Sequence, residues 1–237
     1  MNKYILIIPL ASLFLYQTAG GQHFNFQQLN VTLGLSDNNV KAVATDQAGF
    51  LWIGTSSGLN LYDGNRVTHF KKDKNPALCS DNINSLLCDS RNRIWIGSDE
   101  GVTMLDEQRR FHSILLHDTL KTISVKAIIN HRLLGVILLT NKGFFSINEK
   151  NQQWLLMEFS KTIIYPVTNE PYKDVSFFSP DTLMISSDFK IFTMIDLNRQ
   201  RVILRKKIPD LAGACRLNDS LVFIGYTFGK MQIWNIR

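Results

Sequence analysis

The chain has 237 residues, of which 45% are hydrophobic, 11% aromatic and 19% charged. This composition excludes an intrinsically disordered protein, because it supplies enough apolar residues for a globular core. The formal net charge is +6, but Lys and Arg are scattered and the densest basic run is residues 204–207 (LRKK). We therefore expect no nucleic-acid partner, which would need a concentrated basic face.

The first 21 residues have the pattern of a secretory signal peptide. Lys3 precedes an apolar run at 4–16, and the small residues TAGG end the segment. The run is shorter than the roughly 20 apolar residues of a membrane-spanning helix. We predict cleavage near Gly21, export to the periplasm, and contact with the membrane only through this segment. An uncleaved membrane anchor is the alternative.

An internal repeat follows the leader. Residues 46–64 (DQAGFLWIGTSSGLNLYDG) and 89–107 (DSRNRIWIGSDEGVTMLDE) align at an offset of 43 residues. The offset superposes four pairs of residues: Asp46 and Asp89, Trp52 and Trp95, Gly54 and Gly97, Gly58 and Gly101. A period of about 40 to 45 residues is typical of propeller blades, each a small sheet that cannot bury its faces alone.

Within the unit, short segments rich in β-branched and aromatic residues alternate with turn residues, which predicts four antiparallel strands. At the first turn, Asp46 can accept hydrogen bonds from its own backbone. Gly49 and its counterpart Asn92 can take positive φ. We expect Trp52 and Trp95 to be buried between neighbouring blades. Platforms for sugar stacking are the alternative interpretation of both tryptophans.

Three weaker copies of the unit occur at 125–147, 175–197 and 214–236. The sequence therefore predicts an all-β fold, a β-propeller of about five four-stranded antiparallel blades. The predicted units are residues 35–78, 79–120, 121–165, 166–210 and 211–237, with a further strand at 23–29. Together they form one propeller domain over residues 22–237.

Residues 35–64 resemble the two-component regulator propeller repeat. The resemblance is strong over residues 24–111 and rests mainly on spacing after residue 151. It implies the periplasmic sensor region of a hybrid two-component system, in which the propellers precede an immunoglobulin-like domain, a transmembrane helix and a histidine kinase. Many members sense oligosaccharides, so the resemblance implies an oligosaccharide ligand and a role in signal transduction.

No kinase motif occurs in the sequence, so we expect no enzymatic activity and interpret the chain as the amino-terminal part of a sensor. A gene fragment, a truncated paralogue and a separate subunit all fit. Its partners would be downstream sensor-kinase domains or a second copy in a homodimer. Because family propellers usually have seven blades, an incomplete, open propeller is favoured. A closed five-bladed ring, completed by the strand at 23–29, is the alternative.

The sequence offers little reactive chemistry. The five histidines lack metal-ligand spacing, so we expect no metal and no cofactor. Cys88 is expected to be a buried thiol, and a disulfide with Cys79 is the alternative. A secreted propeller lyase or hydrolase acting on polysaccharide, or a protein-interaction scaffold, are the alternative functions.

The ligand-binding residues are not defined by any motif. The long connections at 72–82 and 157–174 are the expected places, because long loops tend to be functional. Tyr165 and Tyr172 in the second connection are candidates for stacking on a sugar ring.

Overall fold

The computed structural model describes residues 28–114, 123–150, 153–158, 172–187 and 189–236. Within these ranges the regular structure is β, apart from one short 3-10 helix at Val31–Leu33. The strands form five separate antiparallel sheets, and in each sheet the strands follow one another in chain order. This is the arrangement of propeller blades, and the all-β propeller prediction is confirmed.

The blades are numbered in chain order, and the first four have four strands each. Blade 1 comprises β1 (Val40–Thr45), β2 (Leu51–Thr55), β3 (Gly58–Tyr62) and β4 (Val67–Phe70). Blade 2 comprises β5 (Ile83–Cys88), β6 (Ile94–Ser98), β7 (Gly101–Leu105) and β8 (Phe111–Ile114). Blade 3 comprises β9 (Val125–His131), β10 (Gly135–Thr140), β11 (Gly143–Lys150) and β12 (Gln153–Glu158). Blade 4 comprises β13 (Tyr172–Ser179), β14 (Thr182–Ser187), β15 (Ile191–Asp196) and β16 (Arg201–Lys207). Blade 5 has three strands, β17 (Leu211–Arg216), β18 (Leu221–Tyr226) and β19 (Met231–Asn235).

In blades 1 and 2, the turn between the first two strands is built around an aspartate. Oδ1 of Asp46 accepts hydrogen bonds from the backbone N–H of Ala48 (3.0 Å) and Phe50 (2.9 Å). The turn closes through a residue in the left-handed region, Gly49 at φ 85° in blade 1 and Asn92 at φ 59° in blade 2. The backbone bonds hold the turn rigid, so the next strand begins at a fixed place.

The hydrophobic core lies between the blades. Four clusters of buried side chains each join two neighbours, blade 1 to 2, 2 to 3, 3 to 4 and 4 to 5. In the cluster between blades 1 and 2, Trp52 packs with Ile83 and Ile96. In the next, Trp95 packs with Val125 and Leu138. Each sheet is thus stabilised mainly by the sheets beside it.

Glycine at one repeat position permits this close packing. A Cβ atom on Gly54 would lie 2.5 Å from Cγ2 of Ile83 on the next blade, and one on Gly97 would lie 2.7 Å from Cγ1 of Val125. A side chain at either position would push the neighbouring blades apart.

The blades form an open arc. Among the residues that the structure describes, no core cluster joins blade 5 to blade 1. On the last strand, Met231 and Ile233 are 69% and 61% exposed. Trp234 on the same strand is half-buried, because its ring packs edge-on against Phe192 of blade 4 with the ring centroids 6.4 Å apart. These findings fit the incomplete propeller that the unit count favoured.

Some sequence-based predictions concern residues outside the described ranges. The signal peptide at 1–21, most of the strand at 23–29, and Tyr165 are among them. In the described part of the chain, no helix has the length and apolar character needed to cross a bilayer.

Candidate functional site

The two recurring tryptophans are hydrogen-bonded to the two recurring aspartates. Nε1 of Trp52 donates to Oδ2 of Asp46 at 3.1 Å, and Nε1 of Trp95 donates to Oδ2 of Asp89 at 2.9 Å. Both indole rings are only 1% exposed. A ring so deeply buried cannot stack on a sugar, so the tryptophans fill the core and the aspartates satisfy their N–H groups.

An arginine side chain lies over the tryptophan ring of each Asp–Trp pair, but the two arginines come from different places in the fold. In blade 2, Arg93 forms a salt bridge with Asp89 at 2.7 Å and lies over the ring of Trp95. In blade 1, the arginine is supplied by the neighbouring blade, since the guanidinium of Arg109 lies 5.9 Å from the centre of the Trp52 ring. Burial by itself would raise the pKa of Asp89. Hydrogen bonds from Arg93 and Trp95 outweigh it, and the pKa is lowered.

A polar cleft of about 380 Å³ lies between blades 2 and 3. We call it the inter-blade cleft. Its walls come from the first turn of each blade and the strands beside it, and the lining residues are Asp89, Ser90, Arg91, Arg93, Trp95, Asn130, His131, Arg132, Gly135, Val136 and Ile147. Amide and guanidinium groups dominate the wall formed by blade 3, so the cleft presents many hydrogen-bond donors.

Arg132 is oriented by Asp181 of blade 4. Its Nε and Nη2 donate to the two carboxylate oxygens of Asp181 at 3.2 and 2.8 Å. The hydrogen bond from Arg132, followed by its charge, holds the pKa of Asp181 below its ordinary value. The side chain of Arg132 nevertheless stays 62% exposed, so it can still reach a ligand in the cleft.

His131 has a structural role beside this arginine. Its Nδ1 accepts hydrogen bonds from the backbone N–H of Leu133 (3.3 Å) and Leu134 (3.2 Å). The proton is therefore on Nε2, which donates to Oδ1 of Asp181 at 3.2 Å. The imidazole is fully buried. It cannot exchange a proton with a substrate, and it fixes the turn that carries Arg132.

The second polar surface lies at the centre of the arc. The first strand of each blade is innermost, since β1 contacts β5, β5 contacts β9 and β13 contacts β17. All five of these strands carry an irregularity at the same repeat position, where one residue is skipped in the pairing with the next strand. The skipped residues are Lys41, Asn84, Lys126, Lys173 and Ala212. Such β-bulges redirect a side chain and often occur beside functional sites.

Two of the bulge residues, Asn84 and Lys126, contact the same carboxylate, and Lys41 bonds to neighbouring amide oxygens. Nδ2 of Asn84 donates to Oδ1 of Asp99 at 2.7 Å, and Nζ of Lys126 lies 3.9 Å from the same oxygen. Nζ of Lys41 donates to Oδ1 of Asn82 at 2.5 Å and to Oδ1 of Asn84 at 3.3 Å. We call Lys41, Asn82, Asn84, Asp99, Ser124 and Lys126 the axial cluster.

The carboxylate of Asp99 is the fixed centre of this cluster. Asn82 donates a short hydrogen bond to its Oδ2, and Oγ of Ser124 donates to Oδ1 at 3.1 Å. Burial favours a higher pKa for Asp99. The hydrogen bonds from Asn84 and Ser124 and the charge of Lys126 outweigh burial, so the pKa is lowered. Asp99 is therefore ionised at neutral pH.

The cysteines and acidic residues provide no metal site in the described ranges, where no group of three His, Cys, Asp or Glu side chains is arranged to hold an ion. Cys79 and Cys88 are free thiols, so the alternative of a disulfide between them is wrong. Sγ of Cys79 lies 3.3 Å from the carbonyl oxygen of Val102.

The two tyrosines predicted to stack on a sugar do not form a described site. Tyr172 is the first residue of β13, whereas Tyr165 lies outside the described residues. Neither polar surface was predicted from the sequence. A signal for the axial cluster was present, because Lys41, Asn84 and Lys126 recur at offsets of 43 and 42 residues.

Residues 34–57 and 77–100 match the sequence model of the two-component regulator propeller. The match covers one repeat in blade 1 and one in blade 2. The matched segments contain both Asp–Trp pairs and the turns that precede them, so the resemblance found in residues 35–64 is confirmed. Among curated proteins, none matches the chain.

Solved structures share the fold of these propeller repeats. One is the extracellular domain of a B. thetaiotaomicron protein assigned as a hybrid two-component system, with a TM-score of 0.69 and 20% identity over 88% of this chain and 30% of that chain. A second, from a protein of the same organism assigned as a one-component system, has a TM-score of 0.62 and 16% identity over 83% of this chain and 27% of that one.

A propeller enzyme is also similar. Virginiamycin B lyase from Staphylococcus aureus has a TM-score of 0.60 and 13% identity over 88% of this chain and 73% of that chain. At these identities the likeness establishes the fold alone. The chain spans less than a third of the length of the two extracellular sensor domains, so their activity and assembly do not transfer with the fold.

Proposed function

We propose that the chain is a ligand-sensing propeller module of a periplasmic sensor and that it recognises an oligosaccharide without converting it. The two segments that match the two-component regulator propeller support this proposal. The similar B. thetaiotaomicron structures are extracellular domains, which supports a location outside the cytoplasm. Signal output would come from downstream kinase domains acting as partners.

The inter-blade cleft carries the proposal. Its volume of about 380 Å³ falls in the range of small-ligand pockets, about 300 to 1,000 Å³. Asn130 and Arg132 offer amide and guanidinium groups on one wall, and Ser90 offers a hydroxyl group beside two arginines, Arg91 and Arg93, on the other. A saccharide presents hydroxyl groups that both donate and accept, so it can satisfy the two walls at once.

A propeller lyase is the second candidate, supported by the structural likeness to virginiamycin B lyase. General acid–base catalysis needs a titratable side chain within reach of the substrate. At the cleft, the histidine is fully buried and both of its ring nitrogens are hydrogen-bonded within the protein. The cleft therefore suits binding better than proton transfer.

Calorimetric titration of the full chain with a panel of neutral and acidic oligosaccharides tests the proposal. We expect one saccharide class to bind and Asn130→Ala and Arg132→Ala each to weaken it roughly tenfold, the effect of losing one hydrogen bond to a charged or well-placed donor. Arg66→Ala is the matched control. Arg66 is also paired with an aspartate, Asp63, but its side chain is 81% exposed on blade 1, and its loss should leave affinity unchanged.

Two results would overturn the proposal. The first is the absence of binding to every saccharide of the panel by a folded chain. The second is a change in the mass of a bound saccharide during incubation, measured by mass spectrometry, which would instead identify an enzyme.

A further inference from the structure

The axial cluster is separate from the inter-blade cleft. It lies at the innermost strands, beside the turns that join the second and third strands of each blade, whereas the cleft is built from the turns between the first and second strands. A ligand bound to one does not occupy the other. The chemistry of the cluster is therefore considered on its own.

The positive charge at this position exceeds what the cluster neutralises. Lys41 and Lys126 occupy the bulge in blades 1 and 3. Both hydrogen bonds of Lys41 go to amide oxygens, and Lys126 approaches Asp99 only to 3.9 Å. Asp99 is the one carboxylate inside the cluster.

The other carboxylates near this surface have their own partners. Asp37 is close enough to feel the charge of Lys41, but it accepts its hydrogen bonds from Ser57 and from the backbone of Asn39. Glu100 forms a salt bridge at 2.6 Å with Lys72. The charge of Asp37 therefore offsets part of the charge of Lys41, whereas Glu100 is engaged with Lys72.

The bulges also explain why these lysines converge. A regular strand would alternate its side chains between the two faces of the blade. The extra residue at a bulge falls outside that alternation and points its side chain away from the ladder. Because the bulge recurs at the same level in blades 1 to 3, the side chains of Lys41, Asn84 and Lys126 lie close enough to share hydrogen-bond and charge partners.

From this arrangement we infer that the axial cluster is an anion-binding site, in which Lys41 and Lys126 bind the oxyanion of a small ligand, a carboxylate or a sulfate group. The amide side chains of Asn82 and Asn84 hold the lysine ammonium of blade 1 in place. Asp99 keeps the second ammonium nearby, so the site is assembled before the ligand arrives. Preorganised charge-assisted bonds of this kind are the stronger class of hydrogen bond.

The test measures binding of three probes to the full chain by calorimetry at constant ionic strength: sodium sulfate, sodium D-glucuronate and D-glucose. We expect the two anions to bind and D-glucose to bind at least tenfold more weakly at this site. The double variant Lys41→Ala/Lys126→Ala should weaken anion binding by roughly tenfold or more. Tighter binding of glucuronate identifies a carboxylate as the natural group, and tighter binding of sulfate identifies a sulfate.

Lys207→Ala is the matched control, since Lys207 is an exposed lysine on the outermost strand of blade 4 and should not affect the probes. Lys41→Gln/Lys126→Gln keeps chain length and hydrogen-bond donors while removing the charge. If the alanine variant fails to fold, the anion affinity of this glutamine variant tests the proposal instead. Arg132→Ala separates the two proposals, because it should leave the anion affinity intact. Equal affinity for glucose and glucuronate, or unchanged anion affinity in the folded glutamine variant, would overturn the assignment.

Discussion

Gly97 of blade 2 packs directly on Val125 of blade 3, so closely that a Cβ atom on the glycine would lie 2.7 Å from Cγ1 of the valine. Ser85 would be closer still. The contact lies beside the buried cluster that holds blades 2 and 3 together. The absence of a side chain at Gly97 is thus a condition for the neighbouring blade to reach its place.

We expect Gly97→Ala to lower the free energy of unfolding by about 1 to 3 kcal/mol, the usual cost of overpacking a tight core. Urea unfolding followed by tryptophan fluorescence measures the change. Gly213→Ala is the matched control, because a Cβ at Gly213 would meet no atom within 4 Å. Equal destabilisation by the two substitutions would show that the contact with the next blade is not the cause.

Asp89 combines several roles at a buried position. Its carboxylate accepts hydrogen bonds from the backbone of Arg91 and Arg93 and from the indole of Trp95, and it forms a salt bridge with the Arg93 side chain. Asp89→Ala would remove a hydrogen-bond acceptor of the buried Trp95 indole and an anionic partner of Arg93. We expect a loss of about 2 to 4 kcal/mol in the free energy of unfolding.

The same urea assay measures this loss, with Asp219→Ala as control. Asp219 is also bonded to an arginine, but its side chain is 81% exposed, so its substitution should change stability by less than about 0.5 kcal/mol. A small effect at Asp89 would mean that water replaces the carboxylate at the indole.

The repeat made most of the fold predictable. Trp52, Trp95 and the glycines at fixed offsets mark positions where packing against the next blade allows few residue types, so the pattern survives in the sequence. The polar surfaces were not predictable, because they depend on residues from different blades. The Arg132–Asp181 contact joins residues 49 positions apart, and no local pattern encodes it. The bulge at Lys41 is likewise visible only in the strand register.

Asp106 should make the stability of the fold depend on pH in the acidic range. Burial by itself would raise its pKa, but hydrogen bonds from the backbone of Arg110 and from His112 outweigh that effect and lower the pKa from 3.8 to about 2. A carboxylate with a depressed folded-state pKa stabilises the fold above its unfolded-state value and loses this contribution as pH falls. For Asp106 the loss should occur between about pH 4 and pH 2.

The substitution Asp106→Asn isolates this contribution, since asparagine keeps one acceptor oxygen but has no charge. We expect the difference in unfolding free energy between the native chain and the variant to be constant above about pH 5 and to shrink toward zero near pH 2. Urea unfolding at a series of pH values gives the difference directly. A difference that persists unchanged at pH 2 would contradict the lowered pKa.

The two ends of the arc expose apolar side chains that the inner blades bury. On the last strand Met231 and Ile233 point to one side, 69% and 61% exposed, and on the first strand Val43 is 59% exposed. Within the described part of the chain, the end strands also present backbone groups that no neighbouring strand pairs, the condition that favours pairing with another chain. Because the two ends are different surfaces, contact between them would be head to tail and would extend into chains of molecules.

We therefore expect the full chain, purified by itself, to self-associate with increasing concentration, as measured by sedimentation velocity. Ile233→Lys and Val43→Lys should each reduce association. In a mixture of the two variants, the intact first strand of the Ile233→Lys protein can still contact the intact last strand of the Val43→Lys protein. Dimers should therefore form in place of longer species. Ile203→Lys is the matched control, since Ile203 is 48% exposed on an outermost strand of blade 4 and its substitution adds the same charge away from the ends. A monodisperse monomer at all concentrations would show that the exposed ends do not attract one another.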